Sequence, residues 1–293
     1  MSNYHRPVML EEVLEYFQPT VGKKFVDCTL GDGGHTIELL KNGSQVLGID
    51  YSGESLDRAN TRISETENFD NFIGVNGNFK DLERIAEEND FTQVNGVLFD
   101  LGYSSYQLEN GQLGLSFQKD EFLDMRLDKS LGVPAADLIN GLGEREIQRV
   151  LSEYGGERFA KKIAKAIVEN RRLKKLQTTK ELSDLIVNVT PSGYEKGRIH
   201  PATRTFQALR IAVNDELSNL EQSLPRAARL LLPGGRMIVI SFHSLEDKLA
   251  KNFGSNVQPK VTELTKKPLS PSLGEVKRND RARSAKMRVY ERL

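Results

Sequence analysis

The chain has few of the side chains that bind metals: its 293 residues include one cysteine, Cys28, and four histidines. These are too few and too scattered for zinc-ligand spacing, so no structural metal is expected. Cys28 lies within a predicted strand and is interpreted as a small core residue. No apolar run approaches the roughly 20 residues of a membrane span. A signal-peptide pattern is also lacking, so we expect a cytoplasmic protein without membrane attachment.

The chain also has no net charge, with 41 basic and 41 acidic residues, but the two signs are unevenly distributed. Residues 1–130 contain 23 acidic and 11 basic side chains, whereas residues 131–293 contain 18 acidic and 30 basic ones. A basic second half favours a polyanionic partner, of which RNA is the foremost candidate. The alternative is a set of solvated helices.

A glycine-rich turn near the N-terminus is the first functional motif. Residues 25–30 are predicted to form a buried strand, Gly31, Gly33 and Gly34 a tight turn, and the next residues a helix. Free N–H groups at the start of such a helix face a bound ligand. The dinucleotide fingerprint requires a third glycine where this chain has Thr36, so a pyrophosphate-containing cofactor such as NAD is disfavoured.

An acidic residue follows at the spacing expected for ribose recognition. Gln45 to Asp50 is predicted as a second buried strand, and Asp50 lies about 20 residues beyond the glycines, where a carboxylate accepts both ribose hydroxyls. Together with Asp27 before the turn, this pattern suits S-adenosylmethionine better than NAD. The alternative is an ordinary βαβ unit in which Asp50 is merely solvated.

Two further strand ends are predicted to complete the cleft. Phe79 follows the third strand, where its ring would either stack on an adenine or pack in the core. Asp100 ends the fourth strand and precedes a polar loop at the sheet edge. An exocyclic amine is a poor nucleophile because its lone pair is conjugated into the ring. Asp100 and the carbonyls of residues 101–103 are candidates for orienting such an amine and accepting its proton.

Five motifs in this order resemble the RsmH family, also called MraW, the ribosomal RNA small-subunit methyltransferases H. They are Gly31-Asp-Gly-Gly-His35, Asp100-Leu-Gly-Tyr-Ser-Ser-Tyr-Gln-Leu108, Leu123-Asp-Met-Arg-Leu-Asp128, His200-Pro-Ala-Thr-Arg-Thr-Phe-Gln-Ala-Leu-Arg210 and Ser241-Phe-His-Ser-Leu-Glu-Asp247. The resemblance runs from His5 to about Tyr290. It implies that the chain makes N4-methylcytidine in 16S ribosomal RNA.

The resemblance also implies a set of site residues. Cofactor binding is expected at Gly33, Gly34, His35, Asp50, Phe79, Asp100 and Gln107, of which His35 and Gln107 come from the family alone. The catalytic candidates are Asp100, Ser104, Ser105 and His243. The family usually has valine and then Ser-Ser-Pro-Gln in the acceptor loop, whereas here Tyr103 and Tyr106 flank the two serines. Without the proline the loop regains a backbone donor and a free φ angle.

The α/β pattern stops near Gln118, and successive helices are predicted as an insertion at residues 119–211. In the helix predicted at residues 157–171, Phe159, Ile163 and Ile167 recur every four residues and form a core stripe. Its other faces and the residues beyond it carry Arg158, Lys161, Lys162, Lys165, Arg171, Arg172, Lys174 and Lys175. These cations are interpreted as a phosphate-binding face, with a merely solvated surface as the alternative.

The rest of the chain is predicted to return to the sheet. A long helix at residues 202–232 leads to a fifth strand. After it, His243 either orients the base or relays a proton, or it merely packs while Ser244 caps the next helix. A strand at residues 261–264, a polar loop at residues 266–280 that is too polar to pack, and a last strand would complete a sheet of about seven strands.

The expected fold is a class I S-adenosylmethionine-dependent methyltransferase, α/β with a Rossmann-like doubly wound sheet at residues 1–118 and 212–293, interrupted by an all-helical domain at residues 119–211. The expected partner is small-subunit ribosomal RNA or the assembled subunit, and the expected state a monomer or homodimer. Alternatives are a methyltransferase acting on a DNA or protein nitrogen, a ribosome-assembly factor without useful catalysis and, less favoured, an NAD-dependent oxidoreductase.

Overall fold

A computed structural model describes residues 4, 6–103, 113–128, 132–254 and 257–293. The chain forms two compact units, a sheet unit of residues 1–104 and 217–293 and a helical unit of residues 105–216. The helical unit thus begins earlier and ends later than the expected boundaries at 119 and 211. Residues before 119 are joined to this unit by the Leu113 carbonyl, which accepts a hydrogen bond from the Met125 amide (2.7 Å).

The sheet unit is built on seven strands, as predicted, although the first strand ends at Asp27 and not at Leu30, so Cys28 is buried just beyond it. They are β1 (Lys24–Asp27), β2 (Gln45–Asp50), β3 (Phe72–Asn76), β4 (Val94–Asp100), β5 (Leu231–Ser241), β6 (Val261–Glu263) and β7 (Lys286–Arg292), in the order β3-β2-β1-β4-β5-β7-β6. The first five strands are parallel, whereas β7 runs antiparallel to β5 and β6. The strand order reverses between β1 and β4. In a doubly wound sheet the ligand binds at such a switch point, beyond the carboxyl ends of the strands.

Helices lie on both faces of this sheet. They are α1 (Leu10–Phe17), α2 (Gly34–Lys41), α3 (Gly53–Ser64) and α4 (Leu82–Glu88). Successive strand residues point to opposite faces, so Val26, Val97 and Val239 belong to one buried cluster and Phe25, Leu98 and Ile238 to another. Both faces being covered explains why the strands are nearly continuous apolar runs.

The helical unit has its own core. Its helices are α5 (Ala135–Gly141), α6 (Glu144–Gly155), α7 (Ala160–Arg171), α8 (Thr179–Val189) and α9 (Thr203–Asn214). Ile163 and Ile167 of α7 are fully buried in this core, as predicted, whereas Phe159 precedes α7 and is half-buried against the core. An apolar stripe that contacts other helices fixes which side of α7 faces outward.

Three predicted elements differ from the structure. The helix expected at 202–232 is two helices, because Asp215 adopts a left-handed conformation (φ 50°) between α9 and α10 (Glu216–Leu230). Proline is suited to the first position of a helix, which predicts a helix that starts at Pro7. Instead, α1 starts at Leu10, after Met9, which is also left-handed (φ 54°). Two α-helices follow β5: α11 (Ser244–Phe253) and α12 (Leu273–Arg278). The second lies in the polar segment 266–280, which was predicted not to pack. Its Glu275 Oε1 accepts a hydrogen bond from the Met9 amide (2.7 Å).

Candidate active site

The turn between β1 and α2 requires glycine at two positions. Gly33 has φ 72° and precedes α2, and a Cβ there would lie 3.0 Å from Ile63 Cδ1. At Gly34 a Cβ would lie 3.0 Å from the Pro7 ring. The left-handed φ is unfavourable for any side chain, and both positions are closely covered. The backbone of the turn is therefore held in one shape at the start of a helix, where N–H groups are free for a ligand.

Asp50 is joined to this turn through its carboxylate. Oδ2 accepts from the Gly31 amide (2.8 Å) and Oδ1 from the Ser52 amide (2.9 Å). Burial raises the pKa of Asp50 from 3.8 to about 6, although both hydrogen bonds act in the opposite direction. Each oxygen keeps a second lone pair for a ligand hydroxyl.

Asp27, at the end of β1, is almost fully buried and is satisfied by the protein. Its Oδ2 accepts from the Thr36 hydroxyl (2.9 Å) and its Oδ1 from the Thr29 amide (3.2 Å). Burial raises its pKa from 3.8 to about 6 as well. The Thr29 hydroxyl in turn accepts a hydrogen bond from the Asp100 amide (2.6 Å). Asp27 and Thr29 thus connect the turn to the end of β4.

Asp100 differs from the other two carboxylates because one of its oxygens is unsatisfied. Oδ1 is buried and has no hydrogen-bond partner among the described residues. Oδ2 lies 3.7 Å from His35 Nδ1, and His35 Nε2 lies 3.0 Å from the Val8 carbonyl oxygen. Since a carbonyl only accepts, Nε2 carries the proton in the neutral ring. Burial raises the pKa of Asp100 well above its usual range, and the charges of Asp27, Glu246 and Glu275 raise it further.

Phe79 packs in the core with its ring edge-on to two aromatic neighbours. Its centroid is 5.7 Å from that of Phe99 (88°) and 6.1 Å from that of Tyr51 (77°). The Tyr51 hydroxyl accepts from Asn219 Nδ2 (2.8 Å). Core packing, one of the two expected roles, is therefore present. Stacking on an adenine stays a prediction.

His243, rather than Ser244, caps α11. His243 Nδ1 accepts from the Glu246 amide (3.4 Å), and Glu246 Oε2 accepts from the His243 amide (3.1 Å). The expected serine cap is therefore wrong: Ser244 is already the first helical residue. His243 Nε2 is buried, and its 3.1 Å contact with Glu246 Oε1 lacks hydrogen-bond geometry, so it has no hydrogen-bond partner in the described part of the chain.

The structure brings Gly33, Gly34, His35, Asp50 and Asp100 together around the switch point, and adds Asp27 to them. His243 follows β5, the neighbour of β4, and the Leu101 amide donates to the Ile240 carbonyl across these two strands (3.0 Å). The remaining candidates, Ser104, Ser105 and Gln107, lie outside the described residues, as do Tyr106 and His5.

Sequence reasoning did not find the contacts that the N-terminal segment makes with the site. The carbonyl of Val8 meets His35, the ring of Pro7 covers Gly34, and the Met9 amide binds Glu275, which is 266 residues away. A second missed contact is the bidentate pair of Arg58 with Asp32 (2.9 and 3.3 Å). No local pattern signals partners so distant in sequence.

These residues fit S-adenosylmethionine. Asp27 is buried and Asp50 and Asp100 are half-buried, and all three carboxylates have raised pKa values, so a positively charged ligand is favoured beside them and an anionic pyrophosphate is not. Asp50 offers acceptors to hydroxyls, and Asp100 Oδ1 offers an acceptor that no described residue uses. The left-handed Gly33 allows the backbone to approach the ligand closely.

Comparisons with known proteins identify relatives over nearly the whole chain. The model of the MraW methylase family matches residues 2–293. A protein of Sulfurihydrogenibium sp. (strain YO3AOP1) named ribosomal RNA small subunit methyltransferase H is 44% identical over 293 residues, which are 99% of each chain. Its namesake from Deinococcus radiodurans is 46% identical over 98% of this chain and 89% of its own. The crystal structure of a putative rRNA-methylase from Clostridium thermocellum matches with a TM-score of 0.50 and 12% identity over 98% of both chains.

The fold and the site define an S-adenosylmethionine-dependent methyltransferase with a Rossmann-like sheet. Within that class, the chain belongs to the MraW methylase family. Among the described residues, no helix is both long and apolar enough to cross a membrane.

The raised pKa values predict that cofactor affinity depends on pH. Asp50 is the predicted acceptor for the ribose hydroxyls, and protonating a carboxyl with a pKa of about 6 removes its acceptor charge. We expect the Kd for S-adenosylmethionine to rise about tenfold between pH 7 and pH 5. Calorimetric titration at constant ionic strength measures this. Asp50→Asn should bind S-adenosylmethionine weakly at both pH values. A Kd of the wild type that does not change with pH would contradict the role of Asp50 as the ribose acceptor.

The same shifts predict the stability of the ligand-free protein. A folded-state pKa of about 6 for Asp27 and Asp50, against 3.8 for the ordinary carboxyl, means that the fold favours the protonated forms. Their contribution is therefore fully present below about pH 4 and is lost as the pH rises through about 6. Denaturant unfolding at several pH values measures the free energy of unfolding. Over this window, that free energy should change less with pH in Asp50→Asn than in the wild type.

Proposed function

We propose that this chain transfers a methyl group from S-adenosylmethionine to the exocyclic N4 amine of a cytidine in 16S ribosomal RNA. The observation that carries the chemistry is Asp100: a carboxylate at the switch point whose buried Oδ1 is used by no described residue and whose pKa is strongly raised. The choice of substrate is supported by relatives of 44% and 46% identity that are named for methylation of small-subunit ribosomal RNA.

Cofactor binding is assigned to the residues of the turn and the strand ends. Asp50 accepts the ribose hydroxyls, Gly33, Gly34 and His35 line the approach at the start of α2, and Phe79 contacts the adenine. Asp100 and Gln107 complete the set. When bound, S-adenosylmethionine supplies an electrophilic methyl group on a positively charged sulfur.

Asp100 then has a defined task in methyl transfer. The amine nitrogen would bond to the methyl carbon as the bond from that carbon to sulfur breaks, leaving a neutral thioether. The nitrogen would then be positively charged and must lose a proton. A carboxylate whose pKa is raised is a better proton acceptor than an ordinary one. The positive charge of the cofactor favours the ionised form of Asp100 before transfer. Ser104 and Ser105 are assigned to orienting the amine, and His243 Nε2, held by the cap of α11, to contacting the base.

The helical unit is proposed to bind the RNA backbone. Of the eight cations expected to form the binding face, Lys165 and Lys174 pair with Glu169 (3.7 Å) and Glu181 (2.5 Å), and Arg171 donates to the Ile139 carbonyl (2.6 Å). Lys161, Lys162, Arg172 and Lys175 are exposed and make no ion pair with another described residue. Unpaired surface cations are the groups that phosphates recruit at little cost.

Removing two of these cations should weaken RNA binding and its dependence on salt. For Lys161→Ala/Lys162→Ala, we expect the slope of log K against log salt concentration to fall by about 1.4, or roughly 0.7 for each lost phosphate contact with single-stranded RNA. Filter binding over a salt series measures this slope. Lys180→Ala is the matched control, because Lys180 is an exposed lysine of the same unit paired with Asp184 (3.0 Å). Equal slopes for the double variant and the wild type would rule out phosphate contact at this face.

The experiment that tests the function is mass spectrometry of nucleosides from small-subunit ribosomal RNA. Cells lacking the gene should lack N4-methylcytidine, and this chain should restore it, whereas Asp100→Ala should not. A mark that survives deletion, while purified protein still binds S-adenosylmethionine, would leave the methyltransferase class intact and refute the substrate.

A further inference from the structure

The helical unit contains a stacked aromatic pair on its surface. The rings of Phe117 and His200 lie nearly parallel, with centroids 4.5 Å apart and planes at 16°. Phe206, buried in α9, meets Phe117 edge-on at 5.4 Å and 83°. His200 is exposed and Phe117 is half-buried. The imidazole is thus the outer ring of a stack whose inner ring, Phe117, contacts a buried residue of the core.

His200 is held in this orientation by a second contact. Its Nδ1 accepts a hydrogen bond from the Ala202 amide (3.2 Å), immediately before α9. A stacking contact on one face and a hydrogen bond in the plane together fix the ring. In the described part of the chain, no third ring stacks on His200. A fixed exposed ring loses little conformational entropy when a ligand stacks on it.

The chain just before His200 is basic. Lys196 and Arg198 are both exposed, and neither makes an ion pair with another described residue. Arg198 is only two residues from His200, so its cation lies within reach of a phosphate attached to a group stacked on the imidazole. An aromatic surface beside unpaired cations is the arrangement by which proteins hold unpaired nucleotides.

We propose that Phe117 and His200 form a stacking site for an unpaired nucleobase of the RNA substrate. The site takes the face of the base, so it reads the presence of an unpaired base rather than its identity. The proposal rests on the proposed function, because it requires that the helical unit bind RNA. It adds a contact to a base where the cations of α7 contact only phosphates.

Two variants separate stacking from a structural role of the histidine. His200→Asn keeps an acceptor that the Ala202 amide can use and removes the ring. His200→Phe keeps a stacking surface and removes the acceptor. The probe is a labelled single-stranded oligoadenylate, compared with an abasic strand of the same length and charge. The Kd for S-adenosylmethionine and the melting temperature report whether each variant is folded.

If the site stacks a base, His200→Asn should weaken oligoadenylate binding about 5- to 10-fold, and His200→Phe should bind within about twofold of the wild type. The loss in His200→Asn should vanish on the abasic strand, and its KM for small subunits lacking the methyl mark should rise. The stacking site is overturned if His200→Asn binds oligoadenylate as tightly as the wild type, or if His200→Phe loses as much affinity as His200→Asn. In either case, normal methylation by the wild type would leave the proposed function intact. A wild type that binds no RNA overturns both.

Discussion

Replacing Asp100 with asparagine should lower the rate of methyl transfer by roughly 100- to 10,000-fold, the range for losing a general base. Asparagine has the same size and can still accept a hydrogen bond, but it cannot take the amine proton. The fold should persist, since burial already disfavours the charged form of Asp100 and a neutral amide escapes that penalty. Single-turnover methylation with saturating S-adenosylmethionine measures the rate, and calorimetry measures the Kd for the cofactor. A decrease of less than about tenfold would show that another group accepts the proton.

Asp27→Asn tests the same assignment through the pH profile. The charge of Asp27 is the second-largest cause, after burial, of the raised pKa of Asp100. Removing that charge lowers the pKa of Asp100, so the acidic limb of the rate profile should move to lower pH. If Asp100 is not the base, the limb should stay where it is. Thr36 and Thr29 can still be hydrogen-bonded by an asparagine at position 27 in a suitable amide orientation.

The strand ends of the site were predictable from sequence for a physical reason. Parallel strands covered on both faces are continuous apolar runs, so the residue that ends each run marks the carboxyl edge of the sheet. Asp50 and Asp100 each end such a run, whereas Asp27 was expected inside a strand of residues 25–30 and in the structure ends it; the sheet order brings all three to one edge. Periodicity and the location of ligands in doubly wound sheets were sufficient for this part.

What failed were features set by distant contacts or by single backbone angles. The apolar stripe of residues 202–232 continues across Asp215, so periodicity could not detect a left-handed residue between two helices. Serine is the commoner helix cap, yet His243 takes that position because Glu246 returns a hydrogen bond to its amide. Segment 266–280 is polar, but Glu275 finds its partner at Met9. Each outcome depends on a partner that a local window does not contain.

The motif Leu123–Asp128 illustrates how a family resemblance can point to architecture. Leu123 and Met125 are fully buried in the helical core, and Met125 is left-handed (φ 66°). Asn214 holds this turn by donating to the Met125 carbonyl (2.8 Å) and accepting from the Leu127 amide (2.9 Å). The carbonyls of Leu123 and Asp124 accept from the first amides of α5 (2.8 and 2.7 Å). The motif therefore orders the start of the helical unit.

Gly114 packs against the backbone of that turn, and replacing it with alanine should have the largest effect on stability. Its φ is +63°, and a Cβ would lie 2.9 Å from the Asp124 amide nitrogen and 3.2 Å from Leu123 Cα. These neighbours are backbone atoms, which cannot rotate away as a side chain could. We expect a loss of about 3 kcal/mol in the free energy of unfolding of the helical unit, combining left-handed strain with overpacking.

Hydrogen exchange at Ala135 and Ala136 measures this loss locally, because their amides donate to the turn at 2.7 and 2.8 Å. A loss of about 3 kcal/mol should speed their exchange roughly 100-fold. The Leu101 amide, bonded to Ile240 in the sheet unit, is the internal reference and should exchange as before. Gly141→Ala is the matched control, since a Cβ there meets nothing within 4 Å and its φ is not left-handed. Because alanine favours helix, the amides of Ala135 and Ala136 should exchange no faster in Gly141→Ala than in the wild type. Equal exchange rates in Gly114→Ala and Gly141→Ala would show that the turn accommodates a side chain at position 114 without strain.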